Sequence, residues 1–222
     1  MVSTDTLITL NEAMVKNIVF DLGGVIVPLN REACNNAFSN IGFKDFNSLL
    51  NDYVQEGFFL QYEKGLLTTN EFRDIIRSHI DPLVTKGKVT DLEIDKSMGA
   101  FLERISFEKI LLLEKLREKY RVFLLSNTNP IAINVVKEYF REHGKNMNDC
   151  FEKMFLSYEM NLAKPDPKIF EEMLTDGEMV ASQTLFIDDA PANIEIAKGL
   201  GIQTYLFGKD DSLVDVMYTC LK

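Results

Sequence analysis

The chain has 222 residues, of which 46% are hydrophobic and 26% are charged; this globular composition excludes a disordered tail protein and a collagen-like fibre. At about 150 residues per domain, the length suits one large domain or one domain that carries an insertion. The formal net charge of −10 leaves no basic surface for duplex nucleic acid or an anionic membrane, so neither is expected as a partner.

The chain begins with a short predicted strand that is followed by a long helical stretch. The strand is the apolar run Ile18–Phe20, and no convincing strand follows it before Arg121. The sequence between them predicts helices over residues 31–39, 46–62, 69–80 and 91–104. A plain crossover between parallel strands needs only about 30 residues, so residues 30–104 are predicted to form an all-helical cap domain inserted into the fold.

After the cap, helices and strands alternate to the end of the chain. The predicted helices cover residues 107–120, 130–139, 167–176 and 191–198, with a last helix from Ser212, and the predicted strands cover 121–125, 155–157, 184–187 and 203–207. This alternation indicates right-handed βαβ units. The predicted fold class is α/β, with a Rossmann-like, three-layer core around a parallel sheet. Residues 14–29 and 105–222 form this core, and residues 1–13 form an N-terminal extension.

Polar motifs lie at four junctions of the predicted core. They are Asp21-Leu22-Gly23-Gly24, Ser126-Asn127-Thr128, Lys164-Pro165-Asp166-Pro167 and Asp188-Asp189. Ligands of open parallel sheets bind beyond the carboxyl ends of the strands. All four motifs are therefore expected to face one crevice.

Three carboxylates are expected to crowd together in that crevice. Asp21, Asp188 and Asp189 all follow predicted strands, and such a cluster is unfavourable unless a cation neutralises it. A hard divalent ion with oxygen ligands fits, and Mg²⁺ is the usual ion beside phosphate. The alternative is that Asp188 and Asp189 only cap the helix that begins near Pro191, since aspartate favours helix N-termini.

The other two motifs have the residue types of an anion site. Ser126 and the turn after it precede a helix that begins at Pro130, an arrangement that offers a hydroxyl and backbone N–H groups to an anion. The prolines around Lys164 stiffen the backbone, so its ammonium can act as a fixed charge for phosphate. An ordinary turn and a solvated lysine are the alternatives.

Taken in order, the four motifs resemble those of the haloacid dehalogenase superfamily of hydrolases. The resemblance is carried by residues 20–25, 125–128, 164–167 and 186–194 and covers the core from about residue 16 to 207. The helical insertion resembles the cap that follows the first motif in that family. Within it, Tyr62-Glu63-Lys64-Gly65 followed by Thr69 and Phe72 resembles the cap of bacterial sugar-phosphate phosphatases.

This resemblance implies a Mg²⁺-dependent phosphatase of a small phosphorylated metabolite, such as a sugar phosphate. Asp21 would be the nucleophile and would form an aspartyl-phosphate intermediate. The implied Mg²⁺ ligands are the Asp21 carboxylate, the Gly23 carbonyl and Asp189, with Asp188 in support. The implied phosphate contacts come from Ser126, Asn127 and Lys164, and Ser126 and Lys164 count with Asp21 as catalytic.

One position departs from the family pattern. Phosphatases of this type usually carry a second aspartate two positions after the nucleophile, as general acid and base, and that position is Gly23 here. General acid–base catalysis contributes about 10²–10⁴-fold. Another group or water must therefore move the proton, or the leaving group must need little help, or activity must be low.

The departure keeps three alternatives open. A 2-haloacid dehalogenase needs neither Mg²⁺ nor the second aspartate, although the Asp188–Asp189 pair argues against it. A phosphonate hydrolase would need a cap lysine as Schiff base, for which Lys44 and Lys64 are the candidates. The third alternative is a weakly active module of the family that binds a phosphorylated ligand or a protein partner.

The sequence also predicts a cytoplasmic location and a monomer or homodimer. The three cysteines are far apart and form no CxxC pair, so neither a disulfide framework nor a zinc site is expected. The N-terminus carries no basic segment followed by an apolar core, which argues against a signal peptide.

Overall fold

The computed structural model describes residues 15–43, 46, 57–80 and 87–221. Five strands form one sheet in the order β3-β2-β1-β4-β5, and each neighbouring pair is parallel. The strands are β1 (Asn17–Phe20), β2 (Arg121–Ser126), β3 (Lys153–Leu156), β4 (Thr184–Asp188) and β5 (Gln203–Leu206). The predicted α/β class is confirmed by this sheet.

Helices surround the sheet and fill the long segment between its first two strands. Their bounds are α1 (Arg31–Asn40), α2 (Gly57–Glu63), α3 (Thr69–Ser78), α4 (Asp91–Gly99), α5 (Phe107–Leu116), α6 (Pro130–Glu142), α7 (Ser157–Met160), α8 (Pro167–Asp176), α9 (Pro191–Gly199) and α10 (Leu213–Cys220). None of the described helices is both long enough and apolar enough to cross a membrane.

The central strand β1 buries both of its faces, because successive side chains of a strand point to opposite sides. Ile18 and Phe20 belong to an apolar cluster that also contains residues of α5, α6 and α10. Val19 belongs to a second cluster, with residues of α8 and α9. The predicted three layers, helices on each side of a parallel sheet, follow from these two clusters.

Helices α1 to α4, which we call the cap, have an apolar cluster of their own. Phe38, Phe59 and Phe72 are among its fully or nearly fully buried side chains. The cluster also takes in Ile131, which belongs to α6 of the core. The cap is therefore packed on the helix that follows β2.

Several predicted elements end elsewhere than expected; the helix predicted over 107–120, for example, ends at Leu116. The helix predicted over 91–104 ends at Gly99, and Leu102 beyond it pairs with Leu29 in an antiparallel bridge. The strand predicted over 155–157 ends at Leu156, and Ser157 begins the short helix α7. The C-terminal part of the helix predicted over 46–62 is α2, whereas residues 47–56 lie outside the described residues.

The predicted domain boundaries at residues 29/30 and 104/105 remain a prediction. The Leu29–Leu102 bridge ties together the two chain segments that lead into and out of the cap. The predicted extension, residues 1–13, lies outside the described residues.

Candidate active site

The turn after β1 brings Asp21 and Asp189 close together. Asp21 is buried, and its Oδ1 accepts a hydrogen bond of 2.7 Å from the Leu22 N–H. Gly24 has φ +74, and a Cβ on it would lie 2.0 Å from Oδ2 of Asp189. Only glycine combines this left-handed backbone with such a close approach, so Gly24 is what lets the turn lie against Asp189.

Lys164 lies between two carboxylates at the strand ends. Its Nζ is 2.8 Å from Oδ1 of Asp21 and 2.6 Å from Oδ2 of Asp188, and its side chain is 1% exposed. The Asn127 side chain holds the Lys164 backbone from both sides: Nδ2 donates to the Lys164 carbonyl, and Oδ1 accepts from the Lys164 N–H, each at 2.8 Å. The turn after β2 thus fixes the position of the cation.

Asp188 is fully engaged in hydrogen bonds. Its Oδ1 accepts from the Ala190 N–H at 2.8 Å and from Asn193 Nδ2 at 2.9 Å. Its Oδ2 accepts from Asn193 Nδ2 at 3.0 Å and from Lys164. The helix-capping alternative is wrong, because Ala190 is the N-cap of α9 and no side chain of the described residues caps that helix. Asn193 lies within residues 186–194, which carry the fourth motif, but the sequence pattern predicts no role for it.

The three carboxylates fit a small divalent ion. Asp21, Asp188 and Asp189 each offer an oxygen, and these oxygens lie within 4.8 Å of one another. Among the described residues, Oδ2 of Asp21 and the Gly23 carbonyl accept no hydrogen bond, and the Asp189 carboxylate is bonded only by its own backbone N–H. Hard oxygen ligands of this kind suit Mg²⁺. The residues that carry these oxygens, Asp21, Gly23 and Asp189, are the Mg²⁺ ligands that the resemblance implies. Asp188 is held behind them by its own hydrogen bonds.

The electrostatics of this cluster favour a bound cation. Burial raises the pKa of Asp21, Lys164 opposes that rise, and Asp188 adds to it. Burial also raises the pKa of Asp189, as does the neighbouring Asp188. Burial alone would lower the pKa of Lys164, but Asp188 and Asp21 raise it above the ordinary lysine value. One ammonium therefore faces more negative charge than it can neutralise.

The predicted phosphate residues line the same cleft. Ser126 is buried at the end of β2, and within the described part of the chain its hydroxyl makes only a long hydrogen bond of 3.3 Å, to the Asn127 carbonyl. The Asn127 side chain is occupied by Lys164, so its backbone N–H is the group left for an anion. Asn129 caps α6 by accepting from the Ala132 N–H at 3.0 Å, which sets the helix N-terminus at the cleft.

The cleft lies between the strand ends and the cap and has a volume of about 340 Å³. Four residues within or directly after α2 line the cleft. We call them the cap wall: Phe59, Leu60, Glu63 and Lys64. Of the two lysines considered for Schiff-base chemistry, Lys64 lies in this wall and Lys44 lies outside the described residues. Glu63 belongs to the segment that carries the cap resemblance, and the sequence predicts no catalytic or binding role for it.

Comparison with known proteins finds close relatives. D-ribitol-5-phosphate phosphatase from Bacteroides thetaiotaomicron is 38% identical over 193 residues, which are 86% of this chain and 91% of that protein. The crystal structure of a wild-type HAD family enzyme from Bacteroides thetaiotaomicron, in complex with magnesium and inorganic phosphate, is 41% identical, with a TM-score of 0.83 over 91% of this chain and 98% of that one. A predicted HAD-like hydrolase from Porphyromonas gingivalis is 37% identical, with a TM-score of 0.85 over 94% and 98% of the two chains.

A model of the haloacid dehalogenase-like hydrolases matches residues 15–201. The match spans four of the five strands, all but β5, together with the cap and all four motifs. The expected family and fold class are thereby confirmed. The chain belongs to the haloacid dehalogenase-like hydrolase family.

Proposed function

We propose that this hydrolase removes the phosphate group from a small phosphorylated sugar or polyol, with Asp21 as the nucleophile. The enzyme is a magnesium-dependent phosphoric monoester hydrolase, in keeping with a relative named D-ribitol-5-phosphate phosphatase and with the magnesium and phosphate complex of the Bacteroides enzyme.

The observation that carries the proposal is the contact of Asp21 with Lys164. A nucleophilic carboxylate must keep one oxygen free, and Lys164 binds only Oδ1 of Asp21, at 2.8 Å. The same ammonium is close enough to balance charge on a phosphoryl group attached to Asp21. Phosphoryl transfer depends mostly on such positioning and charge balance.

In the first step, Oδ2 of Asp21 attacks phosphorus, and the bond from phosphorus to the substrate oxygen breaks. In the second step, water attacks the aspartyl-phosphate and frees the carboxylate. Lys164, the Ser126 hydroxyl and the backbone N–H groups of the turn after β2 hold the phosphoryl oxygens. Asp189, the Gly23 carbonyl and the second carboxylate oxygen of Asp21 would hold Mg²⁺, which would supply positive charge to balance the phosphoryl group, and Asp188 keeps Lys164 in place.

The cleft suits a substrate of a few carbons. Its volume of about 340 Å³ lies at the small end of the usual range for ligand sites, about 300–1,000 Å³. Charged residues lie at the strand ends, and apolar side chains, including Phe59 and Phe101, line the opposite side. A phosphate at the strand ends with a short polyol chain toward the cap fits this division, and D-ribitol 5-phosphate is the first compound to test.

The test is a screen of phosphorylated metabolites with Mg²⁺ in which the Asp21→Asn variant is the blank. Turnover of a sugar or polyol phosphate by the wild-type enzyme is expected, with loss in EDTA and recovery on addition of Mg²⁺. Asp176→Asn is the matched control, because Asp176 pairs with Lys153 on the surface and its loss should leave turnover unchanged. Turnover of no phosphoester above the blank would overturn the proposal, and full activity on a haloacid in EDTA would favour a dehalogenase.

The proposal includes three further points. Residues 30–104 act as a cap that excludes bulk water from Asp21, as lids commonly do. The enzyme works in the cytoplasm, where phosphorylated metabolites are found, and as a monomer or a homodimer. Size-exclusion chromatography with light scattering tests the last point.

A further inference from the structure

The proposed mechanism needs a group that transfers protons, and none of Asp21, Ser126 and Lys164 is assigned that role. The leaving oxygen of the substrate needs a proton in the first step, and the attacking water must lose one in the second. Gly23 stands where a carboxylate would do this. The cap wall offers a carboxyl group that no other role accounts for, Glu63, the last residue of α2.

Given the proposed phosphatase function, we propose that Glu63 is the general acid and base of the reaction, in place of a carboxylate at Gly23. The attacking and leaving oxygens of a phosphoryl transfer lie roughly in line with phosphorus. Because Asp21 attacks from the strand ends, the leaving oxygen faces the opposite side of the cleft, which is the cap. Glu63 lines the cleft on that side.

Glu63 is a carboxylate without a partner. Among the described residues it makes no hydrogen bond or ion pair, although its side chain is only partly exposed. The other carboxylates that line the cleft have roles. Asp21 is the nucleophile, Asp189 faces the metal position, and Asp166 accepts from the Lys168 N–H at 3.0 Å. Glu63 is the carboxyl group left free for the leaving oxygen and for water.

The residues on both sides of Glu63 hold it in position. Before it, Tyr62 is 1% exposed and stacks on Phe72 with ring centroids 4.2 Å apart. After it, the Lys64 carbonyl accepts a hydrogen bond of 2.8 Å from Asn161 Nδ2 in the core. Anchored to the cap interior on one side and to the core on the other, Glu63 keeps its place over the cleft.

The surroundings of Glu63 suit a group that must both give and take a proton. Burial raises the pKa of Glu63 to about 7, the negative charge of Asp21 adds to the rise, and Lys164 opposes it. A general acid and base works best when its pKa lies near the working pH. Lys64, its neighbour in the chain, is the other charged residue of the cap wall among the described residues.

The proton balance closes over the two steps. In the first, the Asp21–phosphorus bond forms, the ester bond breaks, and the Glu63 carboxyl gives its proton to the departing alkoxide. In the second, the Glu63 carboxylate takes a proton from water as the water oxygen binds phosphorus and the Asp21–phosphorus bond breaks. One water molecule is consumed, and Glu63 returns to its protonated form.

The experiment compares two substrates in the Glu63→Gln variant. The first is the alkyl phosphate that the wild-type enzyme hydrolyses best, and the second is 4-nitrophenyl phosphate, whose leaving group needs no acid. For the alkyl phosphate, kcat/KM should fall about 10²–10⁴-fold. For 4-nitrophenyl phosphate, kcat/KM should change by less than about tenfold, while kcat falls and a burst of nitrophenol appears because water attack has become slow.

Controls separate a chemical role from a structural one. Gln61→Ala changes an exposed residue of the same helix and should leave both substrates unaffected, and Glu63→Asp should retain more alkyl phosphatase activity than Glu63→Gln. The wild-type kcat/KM should also show a pH dependence near 7 for the alkyl phosphate that Glu63→Gln lacks. Circular dichroism melting of each variant shows whether it folds.

Two results would overturn the inference while the proposed function stands. One is an equal loss of kcat/KM with both substrates, and the other is a rise in KM alone, which would make Glu63 a substrate-binding group. A wild-type enzyme with no activity on either phosphate would overturn the proposed function and this inference together.

Discussion

The two sides of the cleft are held together by different forces. At the strand ends, Asp21, Lys164 and Asp188 are charged groups in mutual contact, and Asn193 and Asn127 bond them from behind. The cap wall is held by apolar packing, and its carboxylate, Glu63, makes no hydrogen bond or ion pair with any residue that the structure describes. A network of paired charges gives fixed positions, which phosphoryl transfer requires. A lone carboxylate in a poorly hydrated place gives a group whose protonation can change.

The largest effect is expected at the strand ends, from Lys164→Met. Removing the ammonium leaves Asp21 and Asp188 as uncompensated buried carboxylates, so the variant should lose about 3–5 kcal/mol of unfolding free energy in EDTA. Phosphatase activity should fall at least about 10²–10³-fold. Lys153→Met is the control, because Lys153 makes an exposed pair with Asp176 and should cost at most about 1 kcal/mol. Similar losses for the two variants would refute this account of the paired charges.

The second effect concerns the Mg²⁺ position. Because a Cβ at Gly24 would collide with Asp189, Gly24→Ala should push that ligand away and weaken Mg²⁺ binding about 10–100-fold. Gly144→Ala is the matched control, since Gly144 also has a left-handed backbone, φ +69, but no atom within 4 Å of the added Cβ. Titration calorimetry measures the affinity. Unchanged Mg²⁺ affinity in Gly24→Ala would show that Asp189 is not a ligand.

The third effect tests the contact of the cap with the core. Gly65 has φ +65, and a Cβ on it would lie 2.1 Å from the Tyr158 carbonyl oxygen. Gly65→Ala should therefore keep the cap from seating and lower kcat/KM about tenfold, with little change in fold. Gly57→Ala strains a cap residue with φ +61 but meets no atom within 4 Å, so it should retain more activity. Equal losses for both would assign the effect to backbone strain alone.

The smallest effect is one of stability and depends on pH. The pKa of Glu63 is about 7 in the folded protein, against 4.5 for an ordinary glutamate, so the native state loses stability as the pH rises from 4.5 through 7. Glu63→Gln removes this loss. In EDTA at pH 8 the variant should be more stable than the wild-type enzyme by about 1–2 kcal/mol, after allowance for screening by water in the cleft.

Urea unfolding at pH 4.5 and pH 8 measures that difference. The advantage of Glu63→Gln should shrink toward zero at the lower pH, where Glu63 is protonated in the folded wild-type chain and in about half of the unfolded chains. An advantage of equal size at both pH values would mean that the amide improves packing and that the charge of Glu63 is not responsible.

The strand-end half of the site could be predicted from the sequence for a geometric reason. Parallel strands deliver whatever follows them to one edge of the sheet. Asp21, Ser126 and Asp188 could therefore be placed together from the positions of three strands alone. Lys164 could be added from its motif, although only the structure gives its contacts with Asp21 and Asp188.

The remaining parts depend on contacts between loops and between the cap and the core. Asn127 was expected at the phosphate, but its side chain holds the Lys164 backbone, an arrangement that no local pattern encodes. Asn193 supports Asp188 from one turn into α9, and Glu63 reaches the cleft only because the cap is docked. The helix predicted over 91–104 is too long by the residues after Gly99. Its true end depends on the pairing of Leu102 with Leu29, a long-range contact that the local sequence does not encode.

Ile131 links the cap to α6, the helix that begins directly after the turn that follows β2. It is 4% exposed within the apolar cluster of the cap, so tilting the cap away uncovers it, at a cost of about 1.5–3 kcal/mol. Such a difference would favour a closed over an open empty enzyme by roughly ten- to a hundredfold. Little of the free energy of substrate binding is then needed to close the cap. Even a molecule of a few carbons can use most of that free energy to stabilise the transition state.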